Sequence, residues 1–165
     1  MPMKDLIACL AALFCTAALA QPCPLDATVQ TALRLSAADL AALPQTERIQ
    51  RRTLAASDAA SQPALEQSVR YSGVLLRDVL ARLVPADNNR AARTLVFEAV
   101  ATDGYRAIFT WGEIFNSSAG EQVLVISAQD GRALGNDQGP LALRALADLR
   151  PGPRHVRDLC GVVVR

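Results

Sequence analysis

The chain has 165 residues, 51% of them apolar, and a formal net charge of +1. That length suits one domain with a sizeable core. The near-zero charge, with no basic stripe interleaved with aromatics, excludes a nucleic-acid partner. A single histidine leaves no Ser-His-Asp or Cys-His set to assemble, which argues against hydrolysis.

Residues 1–20 read as an export signal. Lys4 opens it, Leu6 to Leu19 are almost wholly apolar, and Ala18-Leu19-Ala20 is a small-x-small cleavage site before Gln21. The apolar run is too short to span a bilayer. No later run is long enough either, so the expectation is a mature chain over 21–165, periplasmic or secreted and not membrane-embedded. Cys9 and Cys15 leave with the signal. Cys23 and Cys160 remain, and in an oxidising compartment they most simply form one disulfide. The alternative, one of them as metal ligand or nucleophile, has no CxxC pair to support it.

Pro22 and Pro24 mark an extended arm, and Val29 to Leu35 alternates weakly, as a strand would. Ser36 caps a short helix over Ala37 to Leu43, stopped by Pro44. Glu47 to Ala56 predicts a strand carrying Arg48, Arg51 and Arg52. Arg51 and Arg52 fall on opposite faces, so at most one serves a given site. Ser57 to Gln67 is small and polar, a surface loop. Tyr71-Ser72-Gly73-Val74 leads into Leu75 to Leu83, where Leu76, Val79, Leu80 and Leu83 fall at helical spacing. Asp87 to Arg90 is a turn.

Leu95 to Phe115 carries the strongest local signal. Leu95, Phe97 and Ala99 alternate with Val96, Glu98 and Val100 up to Thr102-Asp103-Gly104. A second run then places Tyr105, Ala107, Phe109 and Trp111 on one face. Period-two alternation across Asp-Gly predicts a hairpin. Trp111-Gly112-Glu113 sets an aromatic plate two residues from a carboxylate, the place where a ligand is expected. Gly112 to Asn116 reads as a turn or one helical turn.

Gln122 to Ala128 is a strand, Asp130-Gly131 a turn and Leu141 to Leu146 a further strand. After the rigid loop Pro151-Gly152-Pro153 and the stretch from Arg154 to Leu159, a strand over Gly161 to Arg165 closes the chain. Many short strands with few short helices predict an α+β domain. The strands do not alternate with long helices and no glycine-rich phosphate loop is present, which argues against a Rossmann-type sheet.

The order of Tyr71-Ser72-Gly73-Val74-Leu75-Leu76-Arg77-Asp78-Val79-Leu80, Ala101-Thr102-Asp103-Gly104-Tyr105, Asp130-Gly131-Arg132-Ala133-Leu134 with Gly139-Pro140-Leu141, and Arg154-His155-Val156-Arg157-Asp158-Leu159 resembles the molybdopterin-binding domain of the sulfite oxidase family. The resemblance covers about residues 29–165. It implies an α+β fold with mixed sheets and short helices, and a pterin-shaped site, with the loop around His155 near the pterin's phosphate or side chain. Catalytic members ligate molybdenum through a cysteine in the segment matching Arg51 to Val69. Here that segment has no cysteine, and Ser57 is a poor substitute for a soft thiolate, so no molybdenum is expected.

The resemblance therefore points to the non-catalytic exported members: periplasmic pterin-binding sensors acting through the periplasmic domain of a membrane receptor. A molybdopterin-dependent oxidoreductase, or its subunit, and a non-binding interaction module are the alternatives. A flat amino-pyrimidinone ligand calls for a carboxylate on its edge and an aromatic plate on its face. Glu113 and Asp103 are the candidate carboxylates; Trp111, Tyr105 and Tyr71 the candidate plates; Arg52, His155 and Arg157 the candidate polar contacts. Each also fits a plain structural role: Trp111 and Tyr71 as core, Glu113 as a helix-start residue, Asp103 as turn chemistry, Arg52 and His155 as solvated surface.

Overall fold

Alternating side chains and turn residues set most of the architecture, which the computed structural model describes over residues 22–25, 31–54, 65–84, 90–150 and 152–165. The expected signal peptide, most of the 57–67 loop and most of the Asp87–Arg90 turn lie outside those residues. In chain order the elements are β1 (Thr31–Arg34), α1 (Ala37–Ala41), β2 (Thr46–Leu54), β3 (Leu65–Leu75), α2 (Leu76–Leu80), β4 (Val96–Ala101), β5 (Arg106–Thr110), α3 (Trp111–Phe115), β6 (Val123–Gln129), β7 (Arg132–Ala133), β8 (Ala142–Ala145) and β9 (Leu159–Val164). Single 3-10 turns precede β4 and β6. No described helix is long and apolar enough to cross a membrane.

The strands form two sheets, ordered β1-β9-β4-β5 and β2-β3-β6-β7, with β8 also paired to β6. Every one of these pairs is antiparallel. The predicted hairpin is β4–β5, with Phe97 opposite Phe109 and Ala99 opposite Ala107.

Two expectations shift. Leu65 to Gln67 belong to β3 rather than to a loop, and β3 runs on to Leu75, so α2 spans Leu76–Leu80 rather than Leu75 to Leu83. Strand β3 bulges between Ser72 and Gly73. A Cβ there would stand 2.1 Å from the Val125 carbonyl oxygen, so only glycine lets β3 run this close to β6.

The second sheet is apolar on both faces, which explains the unbroken Val123-Leu124-Val125-Ile126 run. Val74, Val123 and Val125 join Phe97, Phe109, Ile114, Leu143 and Val162 in the main core. Tyr71, Leu75, Leu124 and Ile126 face the other way, into a smaller cluster with Val69 and Ala142, packed by Leu134 and Leu146. Helices α2 and α3 add Leu76, Val79, Leu80 and Ile114 to the main core. The N-terminal arm is tied to β9 by a Cys23–Cys160 disulfide with Cα atoms 5.5 Å apart. Arg106 Nη2 donates to the Pro24 carbonyl at 3.2 Å beside it.

Candidate functional site

The small cluster carries the largest cleft described, an open groove of about 670 Å³. Val69, Tyr71 and Leu134 give it apolar lining, and Gln67, Gln129, Arg132, Asp137, Gln138 and Arg144 give it polar groups. Strand alternation accounts for this: Gln67, Val69 and Tyr71 are every second residue of β3 and so share a face. Tyr71 is 2% exposed, and the Arg144 guanidinium sits 5.3 Å from its ring centroid. The ring is thus both core and the base of a planar cation.

The turn after β7 forms one wall. Gln138 Nε2 donates to the Asp137 carboxylate at 2.8 Å. That bond is the main reason the Asp137 carboxyl sits below its ordinary value; Arg157 and His155 add to the lowering by charge. Gln138 Oε1 is buried and accepts no hydrogen bond from the described residues. Gly139 has φ +76°, and a Cβ there would lie 2.0 Å from Asp158 Oδ1. Only glycine lets the turn cross so close to the 157–158 segment.

A second open cleft, of about 320 Å³, lies on the Arg157 side and is lined by Ala101, Asp103, Tyr105, Gly152, His155 and Arg157. Four of the residues singled out from sequence meet here. Asp103 also does turn chemistry, its Oδ1 accepting the Tyr105 N–H at 2.8 Å. The Tyr105 hydroxyl donates to the Pro153 carbonyl at 2.6 Å, which fixes its ring against the 152–157 loop.

Trp111 and Glu113 line neither of these clefts. Trp111 starts α3, packs against the main core and stacks on Phe115, centroids 5.8 Å apart. Glu113 sits in the first turn of α3 and forms an ion pair with Arg154. Arg154 Nε also donates to Asp148 Oδ2 at 2.8 Å, and its guanidinium lies 4.9 Å from the Phe109 ring centroid. Asp148, and then Glu113, raise the Arg154 pKa by hydrogen bonding to its charged form. Arg52 lies in β2, and its side chain is outside the described residues. Asp137, Gln138 and Arg144 are additions from the structure. Gln138 stands between Asp130 to Leu134 and Gly139-Pro140-Leu141, the two stretches that the sequence marks around this wall.

The donor set does not fit molybdenum. Cys23 and Cys160 are bonded to each other and supply no thiolate, and Cys9 and Cys15 lie outside the described residues. Among the described residues no three His, Cys, Asp or Glu side chains gather as a metal site. The organic part of such a cofactor calls for acceptors at its amino-pyrimidinone edge, and the carboxylates of Asp137 on the larger cleft and Asp103 on the smaller one are groups of that kind.

A profile described as the oxidoreductase molybdopterin binding domain matches residues 24–165. Among curated proteins none matches the sequence.

Proposed function

We propose that this chain, which belongs to the oxidoreductase molybdopterin-binding domain family, is an exported binding protein for a pterin-like heteroaromatic ligand. Its signal passes to the periplasmic domain of a membrane receptor. The family binds molybdopterin in general; the narrower reading is a pterin held without molybdenum chemistry. The observation that carries it is Gln138 Oε1, a buried acceptor with no donor among the described residues, on the wall of the largest cleft described. A buried unsatisfied acceptor costs about 1–3 kcal/mol, which a ligand N–H would recover once the Gln138 amide turns its oxygen toward the cleft.

In this reading the ligand lies flat in the groove and stacks on the Arg144 guanidinium plane, which already covers Tyr71. Its amino edge meets Gln138 and Asp137. Its substituent runs past the 135–139 turn toward Asp103, Tyr105 and His155, where Arg157 offers a cation to an anionic tail.

Native mass spectrometry of protein exported by its own host tests this, read with the absorbance spectrum and elemental analysis. The expected result is a bound species with pterin absorbance and no stoichiometric molybdenum. A bound cofactor with about one molybdenum per chain supports the molybdopterin-dependent oxidoreductase instead. Protein without any retained or titratable ligand supports an interaction module.

A further inference from the structure

We propose that the free edge of β2 accepts an added strand from an acidic segment of another protein. Strand β2 is nine residues long and pairs with β3 from Thr46–Gly73 to Leu54–Leu65 without a register break. It ends its sheet, so among the described residues one side of its backbone has no strand partner. A long edge without bulge or proline is a template for strand addition.

The strand behind β2 is anchored beside Ile49, which pairs with Arg70. The Asp130 carboxylate accepts the Arg70 N–H at 2.8 Å, and the Asp130 N–H donates to the Arg70 carbonyl at 2.8 Å. The inner face of β2 is committed: Arg48 Nε donates to the Glu121 carbonyl at 3.1 Å and Gln50 Nε2 to the Leu146 carbonyl at 3.2 Å.

The outer face is different. Ile49 is 57% exposed, and Arg51, Ser68 and Arg70 are exposed around it. Neither Arg51 nor Arg70 forms an ion pair among the described residues. A groove of about 310 Å³ runs from Ile49 past Ser68 and Arg70 to Asp130 and Gly131.

Charge selects the occupant. The β2 sequence, TERIQRRTL, carries three arginines and one glutamate, and Glu47 already accepts the Ser72 hydroxyl at 3.1 Å. A second copy would set two such basic strands side by side, and like charges facing across strands are destabilising. A strand with an apolar residue opposite Ile49 and carboxylates beside Arg51 complements the face in both respects. The surface lies on the side of the β2–β3 ribbon opposite the large cleft, so the inference does not depend on what the cleft binds.

The test uses ¹⁵N-labelled full-length mature protein without ligand and two synthetic nine-residue peptides with a central valine, one carrying glutamate and one lysine at the positions two residues to either side of it, so that the apolar and charged side chains fall on one strand face, as Ile49 and Arg51 do. The glutamate peptide should give saturable shifts and slowed amide exchange along β2, with affinity at least tenfold above the lysine peptide. Arg51→Glu should reverse that preference while leaving amide shifts outside the β2–β3 ribbon unchanged. The comparison of the two peptides on the parent protein stands even if the variant does not fold. No saturable shift, equal affinity for both peptides, or shifts mapping away from β2 would overturn the proposal. So would self-association of the parent through β2.

Discussion

Glu113 and Arg154, 41 residues apart in the chain, form an ion pair that fastens α3 to the loop lining the smaller cleft. Arg154 also grips Asp148 through two nitrogens, so one guanidinium holds both ends of the 148–154 stretch and the end of the hairpin. The carboxylate that sequence alone marks as a ligand edge thus already has a partner. The groups are 27% and 23% exposed, which screens the pair.

Glu113→Gln should therefore cost only about 0.5–1 kcal/mol and shift ligand affinity less than Arg154→Ala does. Arg154→Ala leaves two carboxylates facing each other without their cation and frees the loop bearing His155 and Arg157. Denaturant midpoints and ligand titrations on the same two variants measure both effects. Equal losses of affinity with unchanged stability would place Glu113 on the ligand instead.

The Cys23–Cys160 bridge closes a loop of 137 residues. In the chain-entropy model this stabilises by roughly 4–5 kcal/mol. Reduction, or Cys23→Ser, should lower the unfolding midpoint by a corresponding amount in denaturant melts. Alkylation of two thiols in the unreduced exported protein would show the bridge to be absent.

Two glycines should respond in opposite ways to alanine. At Gly73 the new Cβ meets the Val125 backbone, whereas at Gly112 in α3 nothing lies within 4 Å. Gly73→Ala should destabilise by about 3 kcal/mol, in the range of overpacking a strand contact. Gly112→Ala should be neutral or stabilising by about 0.5–1 kcal/mol. Thermal melts of the two variants decide this. A benign Gly73→Ala would mean that β3 does not approach β6 this closely.

The capping box of α1 gives a pH signature. Ser36 Oγ donates to the Asp39 carboxylate at 2.6 Å and the Ser36 N–H does so at 3.0 Å. These bonds lower the Asp39 pKa from 3.8. A depressed carboxyl contributes stability that is present above its unfolded pKa and lost as pH falls through the folded one. The contribution should be flat at neutral pH and fade below about 3.8. Asp39→Asn should remove that acid dependence from the α1 amide shifts, and an unchanged acid titration would refute the assignment.

What the sequence made legible follows from how local each signal is. The Ser36 cap and the Asp103-Gly104 hairpin turn depend on neighbours and on strict alternation, and both are found where predicted. The helical spacing of Leu76, Val79, Leu80 and Leu83 puts the start of α2 within one residue, Leu75 against the observed Leu76, but carries its end to Leu83 rather than Leu80. The strand's extension to Leu75 depends on β6, whose distant Leu124 pairs with it. The site divides in the same way. Asp103 and Tyr105 share one turn and sit together, with His155 and Arg157 joining them from the closing loop. Glu113 lies two residues from Trp111 in the sequence, but its partner Arg154 is visible only once the loop is folded back. Gln138 carries no motif of its own; its burial without a donor exists only in three dimensions.

Calorimetric titration of a tetrahydropterin into the mature protein and into Gln138→Leu tests the central claim most directly. The account predicts saturable binding at one ligand per chain, weakened about tenfold or more in Gln138→Leu, since one buried hydrogen bond is worth roughly 1.5 kcal/mol. Identical affinity in the folded Gln138→Leu variant, or no saturable binding to either protein, would contradict it.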